Sequence, residues 1–100
     1  MIKHVVMWKL KEEAEGATKT ENIRKMVRVL EALREQIPGI RNLEVGVDSC
    51  ELPGTSDVVL IAEFDDFAAL RNYIDHPAHQ KAGEFVGKVR AERAAVDYEC

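Results

Sequence analysis

One hundred residues are enough for a single domain with one core, and the formal charge of −4 disfavours a general nucleic-acid binder, which needs a basic face to neutralise phosphates. Aromatic side chains make up only 6% of the chain, too few for a platform that stacks single-stranded bases. Cys50 and Cys100 lie far apart and form neither a C-x-x-C pair nor a zinc pattern, and no apolar run reaches the length of a membrane span or an export signal, so we expect a cytoplasmic protein with both thiols free.

The chain opens on an alternating stretch, Ile2 to Leu10. Ile2, His4, Val6, Trp8 and Leu10 share one face, and Lys3, Val5, Met7 and Lys9 share the other. Period two with β-branched residues predicts a strand, and apolar residues on both sides predict cover on both. Lys11 to Gly16 reads as a charged loop. Thr18 and Glu21 have the spacing of a capping box. Ile23, Met26, Val27, Leu30, Leu33 and Ile37 then recur at steps of three and four, the apolar stripe of a long helix that Pro38-Gly39 stops.

Alternation resumes over Ile40 to Asp48, with Leu43, Val45 and Val47 on one side. Ser49 to Ser56 contains Pro53-Gly54 and reads as a turn region. Asp57 to Phe64, apolar on both faces, predicts a central strand. Asp65 or Asp66 can cap a helix from Phe67 to about Ile74. Pro77 restarts it, because proline suits the first helical position and disfavours a helical residue before it. Ala82, Phe85, Val86 and Val89 continue the apolar stripe, and Ala94 to Tyr98 makes a short last strand.

Strand, helix, strand, strand, helix, strand is the ferredoxin-like βαββαβ order of an α+β domain: a four-stranded antiparallel sheet with both helices on one face. Its other face would carry Val5, Met7 and further β-branched residues in the open. A second copy, sheet against sheet, covers them most economically, so we expect a twofold homodimer.

Tyr73-Ile74-Asp75-His76-Pro77-Ala78-His79 gathers a phenol, two imidazoles and a carboxylate around the helix break. His79 falls in the first turn after Pro77, where the dipole disfavours imidazolium, and is expected neutral and basic near pH 7. By strand parity Asp97 faces the helices, as His4 does. We therefore expect a unit in which Asp97 supports His79, Tyr73 donates to a carbonyl or enolate oxygen, and His4 positions the substrate. Each group also has a structural reading: His76 as a helix cap, His79 with Asp97 as a satisfied polar pair, His4 and Tyr73 as core, and Met26 and Leu30 as core before pocket. No carboxylate completes a metal ligand set around the histidines.

Lys3-His4-Val5-Val6 with Leu10-Lys11, Ile37-Pro38-Gly39, the run Asp57 to Phe64, the H-P-x-H segment at His76 to His79, and Asp97-Tyr98 together resemble the stress-responsive α/β-barrel (Dabb) family over nearly the whole chain. The resemblance implies a dimeric α/β barrel. By likeness to the family's plant polyketide cyclases, it also implies a cofactor-free pocket between helices and sheet. In that likeness Tyr73 and His79 are the working pair, Asp97 supports the histidine, and His4 stands in the pocket. Val6, Trp8, Met26, Leu30 and Leu60 would wall a site for a small apolar carbonyl compound. Met26, Val27 and Leu30 stand where such a cyclase has aromatic residues, and Arg90 and Arg93 where it has larger apolar ones, which implies a smaller and more polar hollow. A non-catalytic stress-related dimer and a cofactor-free monooxygenase on the same barrel are the alternatives.

Overall fold

The computed structural model describes residues 1–100. In chain order its elements are β1 (Ile2–Leu10), β2 (Glu13–Ala14), β3 (Ala17–Thr18), α1 (Lys19–Gln36), β4 (Asn42–Val47), β5 (Val58–Phe64), α2 (Phe67–Asp75), α3 (Pro77–Val89) and β6 (Arg90–Glu99). Four strands form an antiparallel sheet in the order β4-β5-β1-β6. The helices lie on one face only, so the molecule is two layers deep, and its shortest extent is 17 Å. This is the expected ferredoxin-like arrangement.

The local signals act as the residue types dictate. The Thr18 hydroxyl accepts from the Glu21 N–H, and the Glu21 carboxylate reaches back to the Thr18 N–H, closing the capping box of α1. Met26, Leu30 and Leu33 of α1, with Ile37 at its C-cap, pack in one core with Val58, Leu60, Ala62 and Phe64 of β5 and the even-numbered face of β1. Asp66, rather than Asp65, caps α2, accepting from the Ala69 N–H at 2.9 Å. Asp65 instead makes a forked ion pair with Arg41, 2.7 and 2.8 Å, that pins the entry to β4 against the end of β5.

Two expectations need correction. Residues 11–16 are not simply a loop: β2 and β3 form a small hairpin whose turn, Glu15-Gly16, has positive φ at both positions. The buried Asn22 side chain donates to the Ala14 carbonyl at 3.0 Å and ties this hairpin to α1. The last strand is not confined to 94–98 but runs for ten residues from Arg90, pairing with β1 along its length apart from one register shift near Lys9 and Leu10. Every β6 residue is exposed, because no helix covers this edge. Cys50 and Cys100 are both exposed and free.

Candidate functional site

The junction of α2 and α3 positions the site. His76 caps α3, its Nδ1 accepting the Ala78 N–H at 3.0 Å, and Pro77 takes the first helical position. This commits His76 to the backbone and fixes the direction of the next turn. Tyr73, on the inner face of α2, is buried. It packs edge-on to His79 with ring centroids 4.7 Å apart, to His4 at 5.9 Å, and against Phe64 at 5.0 Å. The phenol thus stands between two imidazoles, one from the sheet and one from the helix.

These rings border a cavity of about 170 Å³ between α1, α3 and the sheet. Val6, Leu30, Leu33, Leu60 and Val86 give it apolar walls; His4, Trp8, Tyr73, His79, Arg90 and Arg93 give it polar ones. Its volume is close to the roughly 150 Å³ of an engineered cavity that takes benzene, so it suits one ring or a short chain. Of the residues expected from sequence, His4, Val6, Trp8, Leu30, Leu60, Tyr73 and His79 all line it. Met26 does not: it is fully buried one turn before Leu30, and Leu33, one turn after, walls the cavity instead.

The expected partnership of Asp97 is corrected. Asp97 does face the helices, but its carboxylate hydrogen-bonds His4 Nδ1, and no hydrogen bond joins it to His79. The register explains this, since His4 and Asp97 are directly opposed on β1 and β6, the closest relation two strands offer. His79 reaches the cavity from the helix layer. Asp97 therefore stands behind His4, outside the cavity wall, and orients that ring.

The electrostatics sort the two cavity acids and bases. Burial holds the His79 imidazole below its ordinary 6.5, and Coulomb interactions with His4 and Arg93 push the same way, while the Ile74 carbonyl favours a ring proton and works against them. His79 is thus a neutral base near pH 7, with burial the largest cause. Burial pushes the Tyr73 phenol up to about 12, so it stays protonated and able to donate. The Trp8 indole N–H is buried and meets no acceptor within the chain. No group of three or more His, Cys, Asp or Glu is placed to hold a metal ion.

Sequence reasoning missed Ala82, Gly83 and Gly87 on the α3 wall. The signal was there: His79, Gly83 and Gly87 are spaced by four, a stripe on one helix face that ends in glycines where a side chain would fill the space. A Cβ built on either glycine meets nothing within 4 Å.

Residues 2–100 match the model of the stress responsive A/B barrel domain (Dabb). The chain belongs to this family. It is 33% identical over 100 residues to an uncharacterised protein of Streptomyces coelicolor, covering 99% of both chains. Among solved structures it is similar to a dimeric ferredoxin-like protein of unknown function from Bacteroides fragilis, with 34% identity, a TM-score of 0.80, and 99% of this chain and 95% of that one covered. Another dimeric ferredoxin-like protein, from Thermobifida fusca, aligns at 25% identity with a TM-score of 0.85, covering 99% and 90%. The fold is also that of a hydroxynitrile lyase from Passiflora edulis, at 15% identity, a TM-score of 0.78, and 97% and 90% covered.

Proposed function

We propose that this Dabb-family chain works as a homodimer, each subunit of which binds a compact carbonyl compound and moves a proton on the carbon next to its carbonyl, as a cofactor-free acid–base enzyme. The observation that carries this reading is the meeting of His79 and Tyr73 in one small cavity, one a neutral base and the other a protonated donor at the same pH. His79 takes the α-proton through a ring nitrogen. The C–H electron pair becomes the C=C bond of an enolate, and the charge gathers on the former carbonyl oxygen, which receives the Tyr73 O–H. Return of the proton from His79 to carbon completes the turnover; alternatively the enolate carbon attacks a second carbonyl, whose oxygen takes the C=O electron pair and then the proton from His79, again without any redox change. His4, held by Asp97, orients the substrate from the sheet side. The likeness to olivetolic acid cyclase belongs to this proposal, with Asp97 serving His4 instead of His79.

Hydrogen–deuterium exchange at the α-carbons of cyclohexanone in D₂O, followed by proton NMR, tests it. The wild type is expected to speed exchange over buffer and H79A to lose about 10²–10⁴-fold of that. Y73F is expected to lose about 10²–10³-fold at nearly unchanged stability, because the buried phenol has no hydrogen-bond partner in the chain to give up. Equal rates in wild type, H79A and buffer would end the proposal.

A further inference from the structure

The polar lining of the cavity has one sign. The chain has 18 aspartates and glutamates against 14 lysines and arginines, yet no carboxylate lines the cavity. Every polar side chain that does is a donor or a cation, or becomes one on gaining a proton: His4, Trp8, Tyr73, His79, Arg90 and Arg93. Asp97, which faces the helices from β6, is committed to His4.

Arg90 and Arg93 stand at the start of β6, exposed, and so form the mouth rather than the floor. Neither has an ion-pair partner, although Lys9 and Lys88 beside them do, pairing with Glu92 and Glu15. The charge of Arg93 is felt at His79, so the mouth and the base share one electrostatic field. Directly opposite Arg93 on the β1–β6 ladder, the buried indole N–H of Trp8 lacks an acceptor within the chain. A cationic mouth, unfilled donors and apolar walls call for an anion with an apolar body.

Resting on the acid–base reading for its orientation, we propose that the ligand is a compact carboxylic acid, its carboxylate held by Arg90 and Arg93 at the mouth and its ring or short chain among Val6, Leu30, Leu60 and Val86. Arginine pairs suit a planar carboxylate because the guanidinium presents N–H groups in a matching fork. Two guanidinium charges at the opening also raise the local concentration of anions there. The acid group at the mouth leaves a second, uncharged carbonyl of the same molecule to face Tyr73 and His79.

Trp8 is the only tryptophan, so its fluorescence and its indole N–H resonance report on this cavity alone. Titration of the full chain with benzoate and with its neutral isostere benzamide reads the proposal directly. Benzoate is expected to bind about tenfold more tightly or better, the yield of a charge-assisted contact near 1.4 kcal/mol. The exposed double variant R90Q/R93Q is expected to bring the two probes within about twofold of one another. Equal affinity for the two probes in the wild type overturns the proposal, as does a benzoate preference that survives R90Q/R93Q, or inorganic phosphate displacing benzoate at matched concentration. Exchange on neutral cyclohexanone reads proton transfer without any carboxylate, so the two readings fail separately.

Discussion

At the scale of single residues, His79 carries the sharpest expectation. Its folded-state pKa lies below the ordinary 6.5, chiefly through burial. Between 6.5 and that lowered value the unfolded chain binds a proton that the folded chain does not, so stability falls as pH drops through this window and is whole above it. The same step removes the base. We therefore expect cyclohexanone exchange to be level from pH 7 to 9 and to fall with acid below 6.5. The urea midpoint should drop between pH 7.5 and pH 5.5 by more in wild type than in H79Q, which has no such proton to gain. Matching drops in the two proteins would place the acid sensitivity elsewhere. Tyr73, pushed up to about 12, should add no alkaline limb below pH 10. His79 and Tyr73 were legible as a pair because a proline break with a phenol before it and an imidazole after it is a rare local pattern. The partner of Asp97 was not. Parity gives the face a strand residue points to, whereas the neighbour it meets is set by register, which pattern alone leaves open.

At the scale of elements, α3 sets the cavity size through what it lacks. Glycine in a helix interior costs roughly 0.5–1 kcal/mol relative to alanine, and α3 carries two, Gly83 and Gly87, on the stripe that begins at His79. Neither has a close backbone approach or a positive φ to require it, so the space each leaves is what remains to explain it. G83A and G87A are each expected to stabilise the fold by about 0.5–1 kcal/mol in urea titration while weakening benzoate binding, a trade of stability for a ligand site. If both substitutions stabilise and binding holds, the glycines do not shape the site. The elements read best from sequence were those that bury a stripe and carry a cap, such as α1 with Thr18 and Glu21. β6 was read too short because its residues are exposed on both faces: hydrogen bonds to β1 make it a strand, and they leave no hydrophobic period to find. The β2–β3 hairpin hid for a related reason, since a turn of Glu15-Gly16 lacks the usual Asn-Gly or Asp-Gly signal.

At the scale of the whole molecule, the proposed homodimer is expected to form through the sheet face turned away from the helices. Val5, Met7, Val59, Ile61, Val96 and Tyr98 meet there, and Met7, Val96 and Tyr98 are 43%, 55% and 45% exposed, although all three lie in paired strands. Around this apolar centre run charged neighbours in cross-strand pairs, Lys3 with Glu63 at 3.7 Å and Lys9 with Glu92 at 3.9 Å. An apolar core inside a polar rim is the anatomy of a protein interface. A twofold axis through this face would set each residue against its own copy's neighbourhood, so one substitution alters the contact twice. V96E would then bring two carboxylates into a desolvated sheet-on-sheet core, where an unpaired charge costs about 3–5 kcal/mol to bury. At 1.4 kcal/mol per tenfold, the dissociation constant should rise by at least about 100-fold. Sedimentation at micromolar concentration is expected to give a dimer mass for wild type and a monomer mass for V96E. The variant should keep its fold and its benzoate site, because Val96 points away from the cavity that His4, Tyr73 and His79 share. A wild-type monomer, or a V96E dimer, would mean that the copies do not meet through this face.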